Sequence, residues 1–340
     1  MTQEKKTFYL PGLMDLSSYR LERVEHDESW DNAVELSPQG TIFCKAPFIS
    51  SLNKPFDFWK CYKKDDLKAL MLVEKGLKNR SAKHSGWVVY GGVMFMPHDP
   101  NQNTSQIMSE EFRITSFIIN QLTNTYSDLE FPTHPEFGDL RPFLWHNYDK
   151  GGPHFRYSLR YTTYIELEND LSITEEKTST YKNLNKSRRQ EIRYGKKSGI
   201  CTSRSDDIDL FINIYLETFN RQKIDLTYEP DTIRQILNSL SKVGDLLMFS
   251  SSTSDGKIGS MAAFAKDSKR SYYIFGANTS IARESQTGTM VLWDGFELLR
   301  HSGIKCVDLE GVNSPKRGYF KLSFGGELKP YYIIGIDGPE

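Results

Sequence analysis

Six cations, Lys186, Arg188, Arg189, Arg193, Lys196 and Lys197, crowd into NKSRRQEIRYGKKSG (Asn185 to Gly199) around a single acid, Glu191. Helical spacing puts Arg189, Arg193, Lys196 and Lys197 on one stripe. Clustered guanidinium groups suit phosphate, so the stripe reads either as a phosphate-facing surface or as a solvated helix face. A second candidate is Lys321, in YFKLSFGGELKPYY, between two phenylalanines and just before a Phe-Gly-Gly turn. In this aromatic, β-like segment the lysine either snorkels outward from an edge strand or points into a cleft, where its ammonium would meet developing negative charge. Asp308, in VDLEG, sits at the end of a short predicted strand as a candidate proton acceptor or as the cap of the next turn. The loop RESQTGT precedes a helical run, where backbone N–H groups and the helix dipole converge on phosphate. Arg283, Gly288 and Thr289 are its candidates.

The elements that must position these residues are legible along the 340-residue chain. Its 38% hydrophobic content is enough for one large core or two ordinary ones. Lys+Arg 43 against Asp+Glu 44 argues against a nucleic-acid coat protein while leaving room for a local phosphate site. No apolar run has the length of a signal peptide or membrane span, so a cytoplasmic protein without an integral membrane segment is expected. Cys44, Cys61, Cys201 and Cys306 are too scattered for a zinc site, the histidines lack ligand spacing, and no metal is expected.

One order of elements occurs twice. GWVVYGGVMFMP is β-rich, a polar loop follows, apolar residues from Phe112 to Leu122 recur at helical spacing, and DLEFP returns to β character. KRSYYIFGANTS, a polar loop, TMVLWDGFELLRHSG and IKCVDLEG repeat that order. Trp87 and Tyr272 are read as starting the paired strands, with Leu129 and Val307 in the paired short strands. This is a tandem duplication of one α/β unit. Between the copies, DLRPFLW and HNYDKGGPHFRYSLRY are rich in aromatics and arginines. They would line a sugar or nucleotide site, with Arg141 in it, or form the seam between units.

The ordered set RRQEIRYGKKSG, LETFNRQ, YYIFGA, MVLWDGFELLRHSG, VDLEG and GYFKLSFGG resembles the second half of the FemABX-like proteins. TIFCKAPFISSL and WVVYGG extend the likeness into the first half. RESQTGT resembles a degenerate pyrophosphate loop of GNAT acyltransferases, with one glycine where the pattern has more. The resemblance implies an α/β (α+β) fold of two tandem GNAT-like domains, 1–160 and 161–340, each a mixed sheet flanked by helices, with a cleft between or across them. It implies an aminoacyltransferase or N-acyltransferase that acts on a nucleotide- or lipid-linked glycan precursor, as in peptidoglycan biosynthesis. Aminoacyl-tRNA or acyl-CoA would serve as cosubstrate, with no bound cofactor. Lys321 matches the family's C-terminal lysine, Asp308 its strand-end aspartate, and Arg221 the arginine placed for acceptor phosphate. Lys45 and Lys54 both lie near the position of an N-terminal substrate lysine, and Tyr273 joins the substrate-binding candidates. No segment matches the coiled-coil arm of some members, so the short form is nearest. A non-catalytic binding protein on the same duplicated fold is the reading from another class.

Overall fold

The computed structural model describes residues 16–222, 226 and 228–337. The first half runs β1 (Tyr19–Val24), α1 (Glu28–Leu36), α2 (Ala46–Ile49), β2 (Phe56–Lys63), β3 (Asp66–Glu74), β4 (Ser81–Ala82), β5 (Gly92–Phe95), α3 (Thr104–Thr125), β6 (Asp128–Pro132) and α4 (Arg141–Leu144). Then follow β7 (Arg156–Glu166), α5 (Ser179–Asn183), α6 (Lys186–Lys197), β8 (Cys201–Arg204), α7 (Ile208–Gln222) and α8 (Pro230–Lys242). The chain ends with β9 (Leu246–Ser252), β10 (Ile258–Lys266), β11 (Ser271–Asn278), α9 (Ala282–Ser285), α10 (Thr287–His301), β12 (Cys306–Asp308), α11 (Pro315–Leu322) and β13 (Glu327–Asp337). The duplicated order is present as β5, α3, β6 and β11, α10, β12. Trp87 does not begin a strand, because β5 starts only at Gly92.

Local chemistry sets the helix ends. Asn103 and Gln106 form a reciprocal capping box at the start of α3, and the Asn185 side chain accepts from Arg188 N to start α6. The segment around Lys321 is a helix rather than a strand. Pro315 at its first turn presets helical φ, and Ser323 and Gly325 close it by donating N–H groups to carbonyls of its last turn. No helix among the described residues is long and apolar enough to cross a membrane.

The strands form a four-stranded sheet, β1-β2-β3-β5, and a nine-stranded sheet, β4-β6-β13-β7-β12-β11-β10-β9-β8. The last strand links the halves. β13 pairs with β7 from Glu327 to Gly335 and with β6 from Ile333 to Asp337, so an element from the end of the chain completes the sheet of the first half. The boundary expected between residues 160 and 161 falls inside β7. Three apolar clusters result: α3 packs over one face with Phe131 and Ile334, and α10 packs over another with Phe264 and Val307. The third joins both halves, with Trp30, Phe43 and Tyr90 against Phe211, Tyr272 and Tyr331.

One opening in the large sheet matters for chemistry. β11 and β12 pair in parallel only at Ser271↔Val307 and Tyr272↔Asp308, although β11 continues to Asn278. Beyond Asp308 the chain follows β7 instead, with Leu309 N donating to Thr163 O at 3.0 Å and Val312 N to Tyr161 O at 3.0 Å. On the other side Ile274 is an extra residue in the β10–β11 ladder, a bulge that turns β11 away. The two strands therefore part just where VDLEG continues.

Gly325 holds α11 across this gap. Its φ is +79°, and a Cβ there would lie 2.1 Å from Asn183 O, at the end of α5 just before α6. Gly325→Ala therefore combines left-handed strain with a backbone clash and should cost roughly 2–4 kcal/mol. The urea midpoint reads this directly; an unchanged midpoint would mean that the turn does not fix α11.

Candidate active site

Asp308 ends β12 fully buried. Its Oδ1 accepts from the Thr162 hydroxyl at 2.5 Å and from Glu310 N at 2.7 Å, closing a tight Asx-type turn. That turn puts Glu310 at φ +55°, a left-handed conformation uncommon for a residue with a side chain. Glu310 Oε1 is buried with no hydrogen-bond partner. Opposite it comes Lys321 from α11, whose Nζ donates to Gly311 O at 3.3 Å and lies 5.4 Å from the centroid of the Tyr273 ring. Carboxyl and ammonium make no direct ion pair among the described residues, yet each feels the charge of the other.

Burial raises the Glu310 carboxyl well above the ordinary range; Lys321 opposes the shift and Asp308 adds to it. Burial likewise lowers Lys321, against the pull of Glu310 and Asp308 and with a further push from Arg317. An oxygen that lacks a donor, on an acid whose pKa is pushed toward neutrality, is suited to take a proton near neutral pH. Asp308 is less suited. Its Oδ2 is likewise buried without a hydrogen-bond partner, but its Oδ1 serves Thr162 and the turn, and the Tyr90 hydroxyl lowers its pKa against the larger effect of burial.

Aromatic side chains wall the gap. Tyr273, Tyr228 and Tyr331 all feel the Glu310 charge, and burial is the main reason each phenol is raised. Tyr228 stacks on Trp87 with ring centroids 4.3 Å apart and donates to Gly86 O at 3.3 Å, tying the first half to α7 and α8 across the opening.

Sequence reasoning thus finds Lys321, Asp308 and Tyr273 in one place and misses Glu310, Tyr228 and Tyr331. Glu310 had one readable signal, an acid preceding glycine two residues beyond a strand-end aspartate. Other expectations are corrected. Thr289 is buried; its hydroxyl donates to Glu191 at 2.5 Å and accepts from Arg188, so it is not free for phosphate. Lys45 is ion-paired with Glu35, and Lys54 with Glu74 at 3.0 Å. Arg141 is held by Asp139 in the first half, at 2.8 and 2.7 Å, between Phe112 and Trp145. Neither lysine nor Arg141 contacts the Glu310 and Lys321 pair.

The donor-binding candidates spread over the second half. Gly288 stands in the first turn of α10, while the side chain of Arg283 lies outside the described residues. Arg221 is exposed near the end of α7. On α6, Arg193 and Lys197 are exposed, Arg189 donates to Lys182 O at 3.2 Å, and Lys196 is paired with Glu175. Arg188, in the same basic block, is instead buried. It donates to Ser323 Oγ at 2.9 Å and lies over the Phe320 and Phe324 rings, clamping α6 onto α11.

Residues 179–321 match the acetyltransferase (GNAT) domain family. In structure the chain is similar to FemX, with TM-score 0.64 and 12% identity over 92% of this chain and 96% of that one. A tandem GNAT protein from the clavulanic acid biosynthesis pathway aligns with TM-score 0.53 and 10% identity, over 95% and 99%. The L-PGS of Bacillus licheniformis gives 0.53 and 9%, over 93% of each. No curated protein matches in sequence. Residues 179–321 thus carry the match to the GNAT acetyltransferase domain. With its two halves joined by a shared last strand, the whole chain has the tandem fold seen in these structures.

If Glu310 is the proton acceptor, kcat/KM for acyl transfer rises with pH through its elevated pKa, because only the ionised carboxylate takes a proton. Glu310→Gln should lower the rate by roughly 10²–10⁴ and abolish that limb of the profile. A retained limb in the variant would assign the base elsewhere.

Proposed function

We propose that the chain transfers an aminoacyl group from aminoacyl-tRNA to an amine of a nucleotide- or lipid-linked glycan precursor of the cell envelope. The observation that carries this reading is the buried, partnerless oxygen of Glu310, with Lys321 near enough that each feels the charge of the other. In the reaction the acceptor nitrogen attacks the ester carbonyl, a C–N bond forms, the C–O bond to the ribose breaks, and the amine proton passes to Glu310. Lys321, with N–H donors beyond the one on Gly311 O, stabilises the oxyanion of the tetrahedral intermediate. Asp308 acts through Glu310 as a positioning residue. Arg189, Arg193 and Lys197 supply charge for the tRNA phosphates, and Arg221 supplies it for a phosphate of the acceptor. FemX lends the fold, and the family resemblance lends the substrate class.

A thioester donor is the second reading, favoured by one feature: the first turn of α10, with Gly288, opens beside the end of β11, where backbone N–H groups would receive a pyrophosphate. The leaving group would then be a thiol, and Glu310 and Lys321 would keep their roles.

Purified protein supplied with charged tRNA or acyl-CoA and with amino-sugar nucleotides separates the two. Product formation that ribonuclease abolishes supports the first, while activity that survives ribonuclease and needs the thioester selects the second. In either assay Lys321→Ala should lower kcat by roughly 10²–10³. Replacing Arg189 and Arg193 together by Ala should weaken tRNA binding and flatten its salt dependence. An unchanged salt response would leave the α6 stripe a solvated surface.

A further inference from the structure

The residues that follow β12 carry the acid and receive the ammonium, and their backbone is pinned on two sides. On the β7 side Leu309 N donates to Thr163 O and Val312 N to Tyr161 O, both at 3.0 Å. The Asn313 side chain then takes both backbone groups of Tyr161, accepting from its N–H at 2.8 Å and donating to its carbonyl at 3.1 Å. It stands in for a strand partner where β12 has ended. On the α11 side the contact is backbone to backbone. Gly318 is buried, and a Cβ on it would lie 3.1 Å from the carbonyl carbon of Val312 and nearer still to its oxygen. Lys321 is three residues further on, so it leaves the same side of the helix and reaches Gly311 O at 3.3 Å. The ammonium thus rests on a carbonyl with a carboxylate one residue away. A carboxylate is the stronger acceptor for an ammonium, so Lys321 stays where it is only if its carbonyl is held in place.

We infer that Asn313 and Gly318 are positioning residues, which fix the Gly311–Val312 backbone as an anchor that keeps the Lys321 ammonium on a carbonyl and off the Glu310 carboxylate. The catalytic consequence rests on the acyl-transfer reading. A direct ion pair would stabilise the charged form of Glu310, so the acid would lose its affinity for the amine proton. It would also occupy the N–H donors that the oxyanion needs. With the anchor in place the two groups stay within each other's field, and each keeps hydrogen-bonding capacity for the substrate. The other charged and titratable groups around the pair are Asp308 on the same turn, Arg317 on α11, Tyr273 on β11, Tyr331 on β13, Tyr228 before α8 and Tyr90 from the first half. Tyr331, which Asn313 also bonds, is a phenol pushed up to about 12 chiefly by burial, so loss of that bond adds no charge at neutral pH.

Carbon-13 NMR of the full chain, labelled at its glutamate carboxyls, follows the titration of Glu310 with no substrate present, its signal assigned through Glu310→Gln. Lys321→Met removes the cation and should move the Glu310 midpoint upward by roughly one pH unit or more. Asn313→Ala, at an exposed residue, frees the anchor, lets the ammonium close on the carboxylate and should move the midpoint downward by roughly one to three units. The same substitution on the Lys321→Met background should leave the midpoint where it is, because no ammonium remains to approach. Gly318→Ala drives α11 off the Val312 carbonyl, withdraws the ammonium and should move the midpoint upward, as Lys321→Met does. In acyl transfer Asn313→Ala should lower kcat by roughly tenfold or more, with KM for the acceptor within about twofold. The expected titration shifts in a chain that transfers no acyl group would sink the transfer reading and leave the anchor standing. A Glu310 midpoint that Asn313→Ala leaves unmoved, that it lowers equally on both backgrounds, or that Gly318→Ala lowers, overturns the anchor.

Discussion

The pairing of β13 with both β6 and β7 is the constraint on which the rest of the molecule depends. A strand made of the last residues of the chain lies between strands of the first and middle parts, so the sheet runs through both halves without an edge where they meet. The ladder is reinforced at its end by Arg156 paired with Asp337 and by Lys83 with Asp128 at 2.6 Å. These pairs are largely exposed and contribute little by themselves. The backbone ladder and the shared apolar cluster hold the halves together. Because β13 occupies one side of β7, the other side is left to β12 and to the residues that follow it. Those residues leave β11, and the active-site gap is the space they vacate.

Within that gap the geometry is set by one turn. A non-glycine residue in the left-handed region costs on the order of 1–3 kcal/mol and persists where its surroundings over-determine it. Here Asp308 does so by accepting from Glu310 N, and Thr162, from β7, fixes Asp308 in turn. The acid that looks chemical in the sequence is thus consumed in aiming the acid that does not. Glu310 then sits among phenols and an ammonium with one carboxylate oxygen buried, and that loss of hydration is why its proton affinity rises. The same burial acts in the opposite direction on Lys321. The two shifts bring an acid and a base toward each other, the condition in which a proton changes hands at small cost.

Much of this was legible in the sequence because it follows from local periodicity. The strand, loop, helix, strand order, read twice, appears as β5-α3-β6 and β11-α10-β12, and the alternation of RYTTYIEL is β7. Reading failed where partners are distant along the chain. Thr289 looks like a loop residue awaiting phosphate, but Arg188, about a hundred positions earlier, takes its hydroxyl. Lys321 stands out through the family resemblance, whereas its aromatic neighbours leave it between an outward-pointing edge position and a cleft, and its segment reads as β-like. F-K-L-S-F alternates, and the proline that makes it helical stands six residues upstream. Glu310 carried almost no signal, since the tyrosines that bury it come from α8's entry, β11 and β13.

The basic block that first draws the eye splits in two for the same reason. A helix bearing so many cations must turn some of them inward if it is to pack at all, and Arg188 is the one turned inward, beside Ile192 and Gly195. Burial lowers its proton affinity and Glu191 raises it, but a guanidinium keeps its charge at any physiological pH. It is stabilised by Ser323 and by the faces of Phe320 and Phe324, the residues that bracket Lys321. Asn185 N adds a bond to Ser323 O at 3.1 Å. The helix whose outer face carries Arg189 and Arg193 is therefore, through its inner face, the support of the helix that carries the ammonium group. Charge recognition outside and charge stabilisation inside are two faces of one rigid contact, so a change in how α6 seats itself is felt at Lys321 without passing through any flexible loop.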